Sequence, residues 1–198
     1  MFSAGQHLGK IQKHRFASSG FFDKELNIAH VISQKDYIEF SKDCLQQLAV
    51  MESLNSKTIH AIHDLVERFS SYFPNENDDH LVHADFDPAN ILVERQGEHW
   101  RISGILDWEF AYSGSPLNDI ANMLRYAHHM PEVFTSSFLD GLKEDYILPT
   151  DWRTRIHMMN LLALLDCLAL SPITRKPIRC ADICSVIDHI INELQQST

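Results

Sequence analysis

Hydrophobic residues recur with helical spacing along most of the chain. The clearest stripe lies between residues 56 and 73, and its apolar positions are three or four apart: Ile59, Ile62, Val66, Phe69 and Phe73. Such spacing predicts an amphipathic helix, and Ser56 is its expected cap. Similar but less regular stripes predict further helices over about 4–15, 36–54, 119–129, 132–144, 152–170 and 179–195. Most of the chain is therefore predicted to be helical.

Three short runs in the middle of the chain are typical of β-strands instead. They read "LVH" (81–83), "ILVE" (91–94) and "WRISGILDW" (100–108), and "RQGE" (95–98) predicts a hairpin turn between the last two. Polar segments at 18–25 and 74–79 predict breaks in the helical pattern. The predicted fold class is α+β, mostly α, with a small β-hairpin that carries polar residues at its ends.

Composition limits the classes of partner. The 198 residues fit one domain or one lobe, with 44% hydrophobic residues and a formal net charge of −10. This charge disfavours nucleic acid as a partner, and the longest apolar stretch is too short to cross a membrane. The four cysteines show no paired metal spacing, which indicates reduced thiols and a cytoplasmic protein.

One octet, "HADFDPAN" at residues 83–90, carries unusual chemistry for a loop between two strands. The pattern His83-x-Asp85-x4-Asn90 has the spacing of a kinase catalytic loop. Phosphoryl transfer needs a carboxylate that orients the attacking hydroxyl and accepts its proton, which predicts Asp85 as the base. It also needs oxygen ligands for Mg²⁺, which predicts Asn90 as a metal ligand. Pro88 is expected to stiffen the loop.

A second metal ligand is expected on the next hairpin. Asp107 follows the apolar strand in "ISGILDWEF" (102–110) and takes the place of the aspartate in the kinase D-F-G triplet. Trp108 and Glu109 then replace Phe and Gly, and Trp108 is expected to pack in the core. Asn90 and Asp107 are therefore predicted to hold Mg²⁺ between them.

Together, "HADFDPANILV" and "ISGILDWEFAYSGSPLNDIANMLRY" resemble the aminoglycoside phosphotransferase/choline kinase family, which are protein-kinase-like kinases of small molecules. The resemblance implies a kinase-like C-terminal lobe that uses ATP, or another nucleoside triphosphate, with Mg²⁺ to phosphorylate a hydroxyl of a small-molecule acceptor. It implies Asp85 as catalytic base and Asn90 and Asp107 as metal ligands. By the same resemblance, His83 supports the catalytic loop and Asp119, in "PLNDIA", braces it.

The sequence departs from the family pattern at several positions. Ala84 and Ala89 stand where glycines are usual, and Asp87 stands where a histidine is frequent. Ala84 is a mild change unless its position requires a positive φ. Asp87 and Glu109 have two open interpretations, either a metal or substrate contact or an ordinary loop carboxylate.

The upstream segment "AGQHLGKIQKHRF" resembles the family helix that follows the hinge between lobes, with Gln12 where the pattern has a histidine. Before residue 81 there is no glycine-rich hairpin and no strand lysine that would bind nucleotide phosphates. Residues 1–198 are therefore predicted to be the C-terminal lobe without its N-terminal nucleotide lobe. An exposed apolar patch around Leu8, Ile11 and Phe16 is expected to meet that lobe.

Two function classes remain open. The first is a small-molecule kinase represented by its catalytic lobe, which needs its missing N-lobe or a partner that supplies it. The second is a non-catalytic, truncated kinase-like module for binding or scaffolding. The acceptor is not readable from the residues, although an acidic group near the expected acceptor region would favour a cationic one unless it is only a solvated face: Asp140, Glu144, Asp145 and Asp151.

Overall fold

A computed structural model describes residues 1–196, which form eight α-helices and six β-strands. In chain order these are α1 (Phe2–Ile11), β1 (Gly20–Phe22), β2 (Ile28–Val31), α2 (Gln34–Leu45), α3 (Leu48–Ser53), α4 (Ser56–Arg68), β3 (His80–Val82), β4 (Ile91–Gln96), β5 (His99–Ile105), β6 (Tyr112–Gly114), α5 (Leu117–Leu124), α6 (Glu132–Leu142), α7 (Trp152–Ala169) and α8 (Pro177–Gln196). Single 3₁₀ turns occupy Ser70–Tyr72, Pro88–Asn90 and Ala127–His129.

The chain divides into two compact units. The first unit contains residues 1–32 and 75–152, and it includes all six strands and every predicted site residue. The second unit contains residues 33–74 and the chain from Arg153 on, and it is helical. The predicted α+β class with mostly helical content is confirmed.

Helix boundaries differ from the predicted ones where local chemistry interrupts the apolar stripe. The segment 36–54 forms two helices, α2 and α3. The cap of α4 is Asn55, whose side chain accepts a hydrogen bond from the Thr58 N–H at 3.0 Å, so the prediction of Ser56 as cap was wrong. The helix predicted over 119–129 ends at Leu124, and the 3₁₀ turn follows it.

The first unit contains a four-stranded antiparallel sheet in the order β2-β1-β6-β3, which the sequence did not predict. In its middle, Ser113 of β6 pairs with Gly20 of β1 and with Leu81 of β3. Hydroxyl groups reinforce this contact, since the Ser113 hydroxyl donates to the Ser18 carbonyl at 2.8 Å and the Ser19 hydroxyl to the Ser113 carbonyl at 3.2 Å. The sheet fixes β3, from which the octet starts, next to β6, which leads into α5.

The predicted hairpin is present as β4 and β5. Ile91 pairs with Ile105 at its base, and Gly97 forms the turn with a φ of +64°. An irregularity between Leu92 and Val93 places one extra residue, Ser103, on β5. Both ends of the hairpin therefore lead into loops, residues 83–90 before β4 and residues 106–110 after β5.

Helices α1 and α6 pack with their backbones in close contact because glycine lies at the crossing on both sides. A Cβ on Gly5 would lie 2.0 Å from the Phe138 carbonyl oxygen, and one on Gly141 would lie 2.0 Å from the Phe2 carbonyl oxygen. In this arrangement Leu8 is completely buried. The expectation that Leu8 belongs to an exposed patch was therefore wrong.

Gly5→Ala is expected to lower the free energy of unfolding by about 1–3 kcal/mol, because α1 and α6 must separate to admit the methyl group. Gly104→Ala is the matched control, since its Cβ would lie at an ordinary 3.6 Å from the nearest atom, Cδ1 of Leu92. Urea denaturation of both variants and the parent chain measures the difference. Equal stability of the two variants would contradict the observed crossing.

The second unit builds its own core from α2, α3, α4, α7 and α8. Its fully buried residues come from four of these helices, with Val50, Ile62, Leu165 and Ile187 as examples. Burial raises the pKa of the Cys44 thiol to about 11, which keeps this core cysteine protonated and unreactive at neutral pH. Across residues 1–196, no helix combines the length and the apolar character that a membrane crossing requires.

Candidate active site

Residues 83–90, called the catalytic loop below, connect β3 to β4 and bring Asp85 and Asn90 together. The Asn90 side-chain amide donates to the Asp85 carboxylate at 2.8 Å and to the Asp85 carbonyl oxygen at 2.9 Å. Phe86 anchors the loop because its side chain is completely buried. The side-chain nitrogen of Asn90 thus already donates to Asp85. The side-chain oxygen Oδ1 of Asn90 is the atom that could bind a metal.

His83 links the catalytic loop to the segment that carries Asp107. Its ring is completely buried, with Nε2 2.8 Å from the Leu106 carbonyl oxygen and Nδ1 3.2 Å from the Asp85 backbone N–H. These partners assign a neutral ring with its hydrogen on Nε2, since a carbonyl can only accept and an N–H can only donate. His83 therefore holds the backbone of both loops and does not face an open site.

Asp107 lies two residues after the end of β5, next to the end of the catalytic loop. The Leu106 N–H donates to the Asn90 carbonyl oxygen at 2.9 Å, which fixes the two predicted metal ligands on adjacent segments. Asp107 has a φ of +67°, a left-handed conformation that aspartate tolerates better than most residues. The expectation that Trp108 packs in the core was wrong. Its side chain is 38% exposed, and its indole N–H donates to the Ile105 carbonyl oxygen.

Asp119 sits in the first turn of α5 and braces the start of the catalytic loop. Its two carboxylate oxygens accept the backbone N–H groups of His83 and Ala84, each at 2.9 Å. The side chain is completely buried, and this burial raises the pKa of Asp119 to about 7 although both hydrogen bonds oppose the rise. The geometry agrees with the bracing role that the family resemblance implies.

Ala84 adopts the left-handed conformation, with a φ of +69°. The substitution of the family's glycine is therefore not mild, because a Cβ is unfavourable at this φ. The Ala84 carbonyl oxygen accepts a hydrogen bond from the Asn122 side chain at 2.7 Å. The sequence reasoning missed Asn122, although its position three residues after Asp119 places both on one face of α5.

The raised pKa of Asp119 makes the stability of the chain depend on pH. A carboxyl group whose pKa is higher in the folded than in the unfolded state stabilises the fold fully below about pH 4, and this contribution is lost as the pH rises through about 7. The parent chain should therefore lose stability relative to Asp119→Asn between pH 5 and pH 8. Urea denaturation of both chains at the two pH values measures this, and a parallel pH dependence would contradict it.

Asp87 and Glu109, the two carboxylates left open by the sequence, have different surroundings. The Asp87 carboxylate accepts the N–H groups of Ala89 and Asn90 at 2.7 and 3.3 Å and so caps the 3₁₀ turn of the catalytic loop. Glu109 is exposed and makes no hydrogen bond or ion pair within the described part of the chain. Asp87 has a local structural role, and Glu109 stays a candidate for metal or substrate contact.

The acidic residues expected to attract a cationic acceptor are largely paired. The Asp145 carboxylate lies 2.6 Å from the Lys13 ammonium group, and Glu144 accepts a hydrogen bond from Gln6 at 2.7 Å. Asp140 lies 3.4 Å from its neighbour Lys143. The two lysines offset part of the negative charge of the group, and its role in acceptor binding stays a prediction.

The oxygen donors near the loops suit a magnesium ion that is shared with phosphate groups. Asn90 Oδ1 and the exposed Asp107 carboxylate are hard ligands on adjacent segments. Mg²⁺ commonly binds one or two carboxylates and completes its shell with water and substrate phosphates. Among residues 1–196, no group of three or more His, Cys, Asp and Glu side chains could hold a metal by itself.

The family model described as "Phosphotransferase enzyme family" matches residues 2–156. The chain belongs to this family. The resemblance inferred from the motifs is therefore confirmed, and the matched region contains the whole catalytic loop, Asp107 and Asp119.

Solved structures show that this phosphotransferase family member has a kinase-like fold. An aminoglycoside phosphotransferase, APH(4)-Ia, in complex with ADP and hygromycin B, matches with a TM-score of 0.69 at 19% identity, over 96% of this chain and 65% of that one. A microcompartment-associated aminopropanol kinase matches with a TM-score of 0.68 at 16% identity, over 98% of this chain and 61% of that one.

A curated relative is the acyl-CoA dehydrogenase family member 11 of Pongo abelii. It is 35% identical over 65 residues, which make up 32% of this chain and 8% of the relative. The chain thus spans a small part of this relative and somewhat less than two thirds of the solved structures.

Proposed function

We propose that this chain is the catalytic lobe of an ATP-dependent phosphotransferase that acts on a hydroxyl group of a small molecule. The observation that carries the proposal is the pairing of Asp85 with Asn90 in a loop tied by hydrogen bonds to the segment of Asp107. Membership of the phosphotransferase family supports the same reaction class.

Asp85 is the catalytic base in this proposal. Its carboxylate accepts the proton of the acceptor hydroxyl while the hydroxyl oxygen bonds to the γ-phosphorus, and the bond from that phosphorus to the β–γ bridging oxygen breaks to release ADP. The hydrogen bond from Asn90 fixes the direction of the carboxylate. Mg²⁺, held by Asn90 Oδ1 and Asp107, would neutralise phosphate charge.

One face of the β4–β5 hairpin is suited to the nucleotide base. Leu92 and Gly104 are paired and therefore lie on the same face of the hairpin, and Leu106 follows directly after the end of β5. Leu92 is 46% and Leu106 47% exposed, and Gly104 leaves the space between them flat. An exposed, flat apolar surface beside the proposed metal ligands is where we place the adenine ring.

We further propose that the phosphates need a nucleotide lobe that residues 1–198 do not provide. None of the six strands within residues 1–196 contains the lysine that kinase-like enzymes use to bind the α- and β-phosphates. A longer form of this protein or a partner would supply that lobe and cover Leu92 and Leu106. We place the reaction in the cytoplasm, where ATP and reduced thiols are both present.

The acceptors to test first are alcohols that carry an amine. The names of the similar structures, an aminoglycoside phosphotransferase and an aminopropanol kinase, suggest this class. Since Asp140, Glu144 and Asp145 each have a partner within the chain, neutral sugars and sugar alcohols belong in the same panel.

The 198-residue chain alone is expected to fold and to show no phosphotransfer, because only one side of the phosphates would be bound. Joined to a nucleotide lobe of a related phosphotransferase, it should consume ATP when the correct acceptor is present. A coupled ATP-consumption assay over the acceptor panel compares the two forms. Turnover by the chain alone would contradict the need for a second lobe, and inactivity of every completed form would favour a non-catalytic binding module.

A further inference from the structure

The catalytic loop contains a residue in an unfavourable backbone conformation directly before the proposed base. Ala84 has a φ of +69°, where its Cβ crowds the following carbonyl group. Asp85 follows it in the chain, so the turn at Ala84 determines the direction in which the Asp85 side chain leaves the backbone. Some interaction must offset the strain at Ala84 for this direction to be kept.

Two side chains of helix α5 bind the backbone of Ala84, one at its N–H group and one at its carbonyl oxygen. The Ala84 N–H donates to Asp119 at 2.9 Å, and the Ala84 carbonyl oxygen accepts from Asn122 at 2.7 Å. Asn122 is only 8% exposed, and its side-chain oxygen Oδ1 accepts a hydrogen bond from the Arg125 guanidinium. The Asn122 side chain is therefore fixed with its amide N–H group directed at the loop.

We infer that Asn122 is a positioning residue, which holds Ala84 in the left-handed conformation and thereby aims Asp85. Asp119 binds only the N–H groups that precede the peptide between Ala84 and Asp85. Rotation of that peptide is limited on its N–H side by the bond of 3.2 Å to the His83 ring and on its carbonyl side by the shorter bond of 2.7 Å to Asn122. The importance of Asn122 for catalysis rests on the proposed function, but its effect on the loop does not.

A purely structural role for Asn122 predicts a different pattern of effects. A buried asparagine that only stabilises α5 would lower protection throughout the first unit when it is removed. A positioning residue would affect the catalytic loop in particular, and a glycine at position 84 would compensate for its loss, because glycine adopts a positive φ without strain.

Amide hydrogen exchange of the 198-residue chain, without nucleotide or acceptor, separates the two roles. The reporters are the N–H groups of His83 and Asp85, which donate to Asp119 and to the His83 ring. Asn122→Ala is expected to lower their protection about tenfold, the effect of one lost hydrogen bond, with little change in α6. Ala84→Gly combined with Asn122→Ala should return protection to within about threefold of the parent chain, because the left-handed penalty has a similar size.

Asn118→Ala is the matched control, since it removes one amide hydrogen bond from the same helix, that to the Tyr112 hydroxyl at 2.9 Å. It should leave the exchange of His83 and Asp85 unchanged. Equal loss of protection in the loop and in α6, no loss in the loop, or no recovery with Ala84→Gly would each overturn the inference. Because no phosphotransfer is measured, these outcomes do not depend on whether the proposed function is correct.

Discussion

Asp85→Asn in the lobe-completed enzyme should lower kcat about 10²–10⁴-fold, the usual contribution of a positioned general base. The loop should stay intact, because the new amide oxygen can still accept the hydrogen bond that Asn90 now gives to the carboxylate. The affinity for ATP should change little, since a base contributes mainly in the transition state. Steady-state kinetics at saturating acceptor measures both quantities.

Glu98→Gln is the control for this experiment, because it likewise replaces an exposed carboxylate of the same unit by an amide, at the turn of the β4–β5 hairpin. It should retain the activity of the parent enzyme. If Asp85→Asn kept most of its kcat, the base would be another group, and the pairing of Asp85 with Asn90 would be only structural.

Asp107→Asn should raise the Mg²⁺ concentration needed for half-maximal activity at least about tenfold, because a charged hard ligand is lost. Asparagine is the right replacement, since it also tolerates the left-handed conformation that Asp107 adopts. Alanine would add backbone strain at this position, and the effect of that strain could not be separated from the loss of the ligand. Titration of Mg²⁺ at fixed ATP measures the effect.

Glu109→Gln makes the same change two residues away, at the exposed carboxylate whose role is open. An unchanged Mg²⁺ requirement would restrict metal binding to Asp107 and Asn90, whereas an increase would add Glu109 to the ligands. If Asp107→Asn left the Mg²⁺ dependence as it was, Asp107 would not be a ligand.

Most helices and the β4–β5 hairpin were predictable because each is long enough to show its own hydrophobic period. The four-stranded sheet was not, since β1, β2 and β6 contain only three or four residues each and show no alternation. The burial of Leu8 was also hidden, because it depends on how closely α1 approaches α6 through two glycines far apart in sequence.

The residues of the candidate site were predictable where the chemistry lies in one continuous segment. His83, Asp85 and Asn90 share an octet, and the structure joins them by hydrogen bonds. The positive φ of Ala84 and the contact from Asn122 were not predictable, because each is a tertiary effect of α5 on the loop. Whether these groups perform phosphotransfer stays a prediction.

The most direct test of the proposed function is transfer of a radiolabelled γ-phosphate from ATP to an acceptor by the lobe-completed enzyme. The labelled product should form with at least one hydroxyl compound of the panel, and Asp85→Asn should reduce its rate of formation about 10²–10⁴-fold. Equal product formation by the parent enzyme and Asp85→Asn, or label released only as free phosphate with every acceptor, would contradict the assignment of this chain as the catalytic lobe of a small-molecule kinase.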